Sequence, residues 1–145
     1  MLTVSLITKL DPELVARMAQ LEQHLLKGKS GRPLDMQLFR DCMRSGFLIG
    51  AWEEKTLAGM CYVFVQQTIS RRVMILEELV VDPEFRGRGI ATQLCIFLIS
   101  LARIQDADCI EGMMPIGNEA ARKVYLRSGF TFRKQNPFRL ILKQF

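Results

Sequence analysis

Between Leu76 and Ala91 the chain reads Leu-Glu-Glu-Leu-Val-Val-Asp-Pro-Glu-Phe-Arg-Gly-Arg-Gly-Ile-Ala. Asp82-Pro83 stops an apolar strand, a short basic loop carries Gly87 and Gly89, and a long apolar helix opens near Gly89. Backbone N–H groups freed by the glycines, next to a helix N-terminus, make an anion site. Arg86 and Arg88 add formal charge at the same place. The loop is therefore expected to hold a phosphate-bearing cofactor, with the strand before it presenting the reacting end.

The rest of the chain arranges itself around that unit. A first strand is expected over 2–8, then a helix from Asp11-Pro12-Glu13 to about Lys27, opened by an N-cap and a proline in its first turn. A loop over 28–33 leads to a second helix over 35–44. Strands follow at 47–52, 57–66 and 73–81, with Gly59 marking a bulge or a close backbone approach. After the helix over 89–105 come a short strand at 109–114, a helix from Asn118 to Ser128 closed by Gly129, and two last strands at 130–134 and 138–143 around Gln135-Asn136-Pro137. The order β-α-α-β-β-β-α-β-α-β-β, without repeat or linker, is that of one α/β domain over 1–145 with a mixed sheet of about seven strands and four helices.

At 145 residues, 49% hydrophobic and 24% charged, the chain suits one globular domain. It has no apolar run of the roughly 18 residues that a membrane span needs, and no basic leader before an apolar segment. A cytoplasmic protein without membrane contact is the expectation. Cys42, Cys61, Cys95 and Cys109 form no C-x-x-C pair and lie in apolar segments, so they read as reduced core thiols. His24 is the single histidine, which rules out a His-rich metal site and leaves no Ser-His-Asp arrangement without it. It reads as a partly exposed helix residue. The net charge of +5 is scattered, so no nucleic-acid partner is expected; a polyanionic small molecule accounts for the excess equally well.

The glycine loop fits neither of two common phosphate motifs. A dinucleotide fingerprint needs Gly or Ala where Thr92 stands, and no Gly-Lys-Ser/Thr follows as in a Walker loop. Arg86-Gly-Arg-Gly89-Ile-Ala91 instead resembles the R/Q-x-x-G-x-G/A acyl-CoA signature of the GNAT (Gcn5-related) N-acetyltransferases. Asn118-Glu-Ala-Ala121-Arg-Lys-Val-Tyr125-Leu-Arg-Ser-Gly129-Phe130 is similar to that family's N-x-x-A-x-x-x-Y-x-x-x-G-F segment. The two blocks stand in the family's order and spacing, and the likeness is specific from Leu76 to Phe130.

The resemblance implies acetyl-CoA as cosubstrate. Its pyrophosphate would lie on Arg86, Gly87, Arg88, Gly89, Ile90, Ala91 and Thr92, chiefly on backbone N–H groups. Its pantetheine arm would pair with the backbone of Leu79, Val80 and Val81, and an N–H near Leu79 or Val80 would polarise the thioester carbonyl. Asn118 would hydrogen-bond the pantetheine, although a plain N-cap role fits it too. Tyr125, two helical turns on, would protonate the departing thiolate.

The acceptor amine titrates near pH 10 like lysine, so a base is needed. Glu77 and Glu78 stand in an apolar strand, where unpaired carboxylates are costly. Successive strand residues face opposite ways, so both reach one cleft only if the strand is bulged there. Glu77 is the favoured base, through water, Glu78 the amine-binding partner, and Glu111 a third candidate.

The expected activity is transfer of an acetyl group to a primary amine of a small or amino-acid-like molecule by direct attack. No base stands near Cys95 or Cys109 to make either a nucleophile. Other readings are a protein acetyltransferase, a non-catalytic acyl-CoA module, and an aminoalkylphosphonate-type acetyltransferase, since the ending from Arg133 to Leu140 resembles those of small bacterial family members of that kind. On the phosphonate reading Arg32, Arg71, Arg72 and Arg139 would face an anionic substrate. A monomer or a homodimer is expected.

Overall fold

The computed structural model describes residues 1–27 and 31–143. Strand β1 (Leu2–Leu6) is followed by helices α1 (Pro12–Leu26) and α2 (Met36–Ser45) and by strands β2 (Phe47–Glu53), β3 (Thr56–Gln67) and β4 (Arg72–Val81). A single 3-10 turn, Pro83–Phe85, leads to α3 (Ile90–Ile104), β5 (Cys109–Gly112) and α4 (Glu119–Arg127). The sheet order is β1-β2-β3-β4-β5, antiparallel except for the parallel pair β4–β5. No helix among the described residues is long and apolar enough to cross a membrane.

Local signals set the helix starts. Asp11 and Asp35 sit in extended backbone and accept the N–H of Leu14 at 2.8 Å and of Leu38 at 2.9 Å. Lys27 closes α1 in left-handed geometry. Of the loop expected over 28–33, residues 28–30 lie outside the described residues.

Each face of the sheet has its own core. On one face Leu94, Cys95, Leu98 and Leu101 of α3 pack on Ile49, Cys61, Val63, Met74 and Leu76. On the other, Met18 and Leu21 of α1 and Phe39 of α2 cover Leu48, Leu57, Met60 and Val80. Gly59 is a close approach, as expected: a Cβ there would lie 3.0 Å from the Val80 carbonyl oxygen and 3.1 Å from Ile90. The neighbouring register shift, between Ala51 and Trp52, also gives β3 a bulge.

The two strands expected at 130–134 and 138–143 do not form, so the described residues hold five strands where about seven were expected. From Phe130 to Leu142 the chain runs on without a turn or bend. The alternating apolar residues favour an extended backbone, but a strand also needs an edge to pair with, and no strand among the described residues takes the segment up. β5 also ends two residues early, at Gly112, where the chain leaves β4.

Candidate active site

The site begins where two parallel strands part. β5 pairs with β4 from Val73↔Cys109 to Leu76↔Gly112 and no further. At the parting point the backbones touch: a Cβ on Gly112 would meet the Leu76 carbonyl oxygen at 2.8 Å. Beyond it, β4 keeps β3 on one side (Glu78↔Tyr62 to Val81↔Gly59) and has no strand on the other. Asp82 donates its N–H to the Ala58 carbonyl at 2.8 Å, on the β3 side. Strand alternation then turns the backbone groups of Leu79 and Val81 toward the open side and those of Val80 toward β3. The Val80 side chain is buried under α1.

A bulge shapes the middle of β4. Tyr62 faces Glu78 and Val63 faces Leu76, so Glu77 is the extra residue. It resets the alternation. Met74 and Leu76 face the α3 core, as do Leu79 and Val81 after the bulge, while Val80 faces α1. Glu77 is exposed and Glu78 half-buried, and the charges of both act on the Tyr62 hydroxyl.

Glu78 has a neighbour that sequence reasoning missed. Glu22 of α1 is 3% exposed, and its Oε1 has no hydrogen-bond partner. Burial, then hydrogen bonding and charge repulsion from Glu78, push its carboxyl up to about 9. At neutral pH Glu22 therefore keeps its proton and donates to Glu78. Burial, and after it the charges of Glu78 and Glu22, raise the Cys42 thiol on α2. A signal was available: Val15, Met18 and Glu22 lie at i, i+3 and i+7, so Glu22 occupies a core-facing place on α1.

The far end of β4 is anchored and then opens. Asp82 is buried, pairs with Arg17 of α1 at 2.6 Å, and accepts the Glu84 N–H at 2.9 Å. Burial pushes the Asp82 carboxyl up, and the hydrogen bonds from Arg17 and the Glu84 N–H overcome that, leaving it below the usual value. Arg17 also donates to the Leu57 carbonyl at 2.9 Å. In the loop that follows, Gly87 and Gly89 have φ of +78° and +77°, and a Cβ on either would meet nothing within 4 Å. Glycine is needed there for backbone conformation and not for room. Gly89 caps α3 without a side-chain hydrogen bond, so the first-turn N–H groups of Ile90, Ala91 and Thr92 have no side-chain cap. Arg86 and Arg88 are exposed, and the Arg88 guanidinium lies over the Phe85 ring, 5.1 Å from its centre.

On α4, Asn118 accepts the Ala121 N–H at 3.2 Å through Oδ1, so its oxygen is serving as the helix N-cap. Tyr125 is half-buried, edge-on to Phe130 with ring centres 5.5 Å apart. Burial, with smaller contributions from the Cys95 and Cys61 thiols, pushes its hydroxyl up to about 12. The phenol stays a proton donor throughout the range in which proteins work.

The other candidates are placed differently. Glu111 is ion-paired with Arg71 at 2.7 Å and with Arg133. Arg72 is engaged at the chain bend after α3, donating Nε to the Gln105 carbonyl at 2.7 Å. Cys61 and Cys95 are buried free thiols whose pKa burial raises, the opposite of an activated nucleophile. His24 is exposed on α1.

The family description "Acetyltransferase (GNAT) family" matches residues 16–130, which include β4, the glycine loop and α4. The chain belongs to the GNAT acetyltransferase family. An N-acetyltransferase of Methanocaldococcus jannaschii, itself described as uncharacterized, is 38% identical over 60 residues, which are 41% of this chain; the chain spans 26% of that relative's length. Among solved structures, an aminoglycoside acetyltransferase from an uncultured soil metagenomic sample superposes with a TM-score of 0.84 at 15% identity, covering 98% of this chain and 97% of that one. An aminoglycoside N-acetyltransferase in complex with CoA gives a TM-score of 0.79 at 18% identity, covering 99% and 96%. The GNAT fold is therefore present with five of its expected strands formed in the described chain.

Proposed function

We propose that this GNAT protein is an acetyl-CoA-dependent N-acetyltransferase that acetylates a primary amine of a small molecule by direct attack. One observation carries the proposal. The unpaired side of β4 runs from an uncapped, glycine-opened helix N-terminus at Gly89 to a bulged pair of carboxylates at Glu77 and Glu78. That edge has the length and polarity for a phosphate-tailed thioester lying along it as an added strand.

In this reading the N–H groups of Ile90, Ala91 and Thr92 take the pyrophosphate, and Arg86 and Arg88 add charge. The backbone of Leu79 and Val81 holds the pantetheine, and one of their N–H groups receives the oxyanion. Glu78, backed by the Glu22 carboxyl, binds the acceptor as its ammonium ion. Glu77, exposed beside it, takes the ammonium proton through water. The freed amine nitrogen bonds to the thioester carbon and sheds its second proton to solvent, the carbon–sulfur bond breaks as the carbonyl re-forms, and Tyr125 gives its proton to the sulfur and regains one from solvent. The small-molecule acceptor has its support in the aminoglycoside acetyltransferases among the solved neighbours, while a ribosomal-protein-alanine N-acetyltransferase stands among them too, with a TM-score of 0.78 at 20% identity.

The test is CoA release from acetyl-CoA with a panel of diamines, amino sugars, amino acids and aminoalkylphosphonates. Amine-dependent release that falls at least tenfold in Glu77→Gln supports the proposal. Acetyl-CoA binding without amine-dependent release would make the chain a non-catalytic acyl-CoA module.

A further inference from the structure

Residues 83–89 carry the chain from β4 to α3, and all but Phe85 are exposed. Their course is therefore set at the two buried ends, Asp82 and Ile90, which are 7% and 2% exposed. Both ends rest on three successive residues at the start of β3. The Leu57 carbonyl accepts Arg17 Nε at 2.9 Å, and the Ala58 carbonyl accepts the Asp82 N–H at 2.8 Å. Gly59 lets Ile90 approach, since a Cβ there would lie 3.1 Å from the Ile90 side chain.

The two ends are held by different forces. Ile90 sits in the apolar core under α3, a contact that fixes where the helix starts but has no direction of its own. Asp82 is a hydrogen-bonded joint. Backward, its N–H reaches Ala58 and its Oδ2 takes Arg17 Nη2 at 2.6 Å. Forward, its Oδ1 takes the Glu84 N–H at 2.9 Å and its carbonyl the Phe85 N–H at 2.9 Å, which together open the turn. The backward and forward bonds of the side chain share one planar carboxylate, so whatever orients that group orients the turn. Arg17 is itself fixed, with Nη1 donating to Gln20 one turn on at 2.9 Å and Nε to Leu57. Only a guanidinium offers such a planar fork to a strand carbonyl and a carboxylate together.

We propose that Arg17, on a helix that takes no part in the loop, is a positioning residue for the cosubstrate: acting through Asp82, it holds the N–H groups of Ile90, Ala91 and Thr92 and the loop before them in the arrangement that receives a diphosphate. This rests on the acetyl-CoA reading above. The pantetheine arm depends on Arg17 far less, because Leu79 to Val81 are kept in line by their own pairing with β3.

Arg17→Met alone leaves the Asp82 carboxylate buried without its partner, so it is compared with Arg17→Met/Asp82→Asn, which removes both charges and keeps an oxygen for the Glu84 N–H. By calorimetry the folded variants are expected to bind acetyl-CoA at least tenfold more weakly than wild type. Their affinity for acetyl-pantetheine, which lacks the diphosphate, is expected to change less than threefold when followed by nuclear magnetic resonance. A general loosening of the fold would weaken both ligands alike, and that result overturns the proposal. So does an acetyl-CoA affinity within twofold of wild type in the double variant, which is readable even where Arg17→Met fails to fold. A wild type that binds no acetyl-CoA would instead overturn the acetyl-CoA reading, and this inference with it.

Discussion

The buried carboxyl of Glu22 and the half-buried carboxyl of Glu78 face each other between α1 and β4, and at neutral pH the proton of the pair rests on Glu22. An unfolded glutamate titrates near 4.5, and the folded Glu22 near 9. Between those values the folded chain holds a proton that the unfolded chain has lost, so stability falls as pH rises across that window. Glu22→Gln supplies the same donor without the titration. It is expected to melt close to wild type at pH 5 and several degrees higher at pH 8, a difference of up to about 4 kcal/mol. Thermal melts across pH check this, and equal pH slopes in the two proteins would contradict it.

Glu77 is a surplus residue in its strand, so removing it restores plain alternation between Leu76 and Glu78. A chain lacking Glu77 is expected to keep its fold, melting within a few degrees of wild type, and to lose acetyl transfer by at least a hundredfold. A collapse in stability would show that the bulge is held by packing and not by the site.

Tyr125→Phe removes a hydroxyl but keeps the ring against Phe130. The expected result is turnover lowered by about ten- to a hundredfold, with the acetyl-CoA KM changed less than threefold, as for loss of a transition-state proton donor. Because the hydroxyl is pushed up to about 12, any alkaline fall in the wild-type rate below pH 10 must come from another group. Rate against pH for both proteins tests this.

Gly89→Val forces a β-branched residue to φ of +77°, a conformation costing roughly 1–2 kcal/mol or more for an L-residue. With free space around the added side chain, the loop is expected to rearrange and the chain to stay folded. Acetyl-CoA affinity is expected to drop at least tenfold, as read by calorimetry, while the turnover of bound cosubstrate changes little.

What the sequence made legible was what neighbouring residues decide. Asp11 and Asn118 cap the helices they were expected to cap, and Asp35 caps the helix expected to start there, since a cap is settled within three residues. The glycine loop and the strand before it were legible for the same reason. Glu77 and Glu78 showed as misfits in an apolar strand, but whether they share a face depended on a register that β3 imposes from across the sheet. Glu22 was passed over because its partner lies 56 residues away, although its place on the helix stripe marked it. The strands over 130–143 failed for a different reason. Their pattern specifies a strand but not which edge, and no strand among the described residues accepts them.

Helix α1 holds both ends of the working stretch of β4. Arg17 grips Asp82, where the glycine loop begins, and Glu22, a turn and a half further along, backs Glu78 in the bulge. On the proposed function, an acceptor held at Glu78 and a phosphate held by the glycine loop would both bear on the same helix. Any help that one substrate gave the other through that helix would be returned in equal measure.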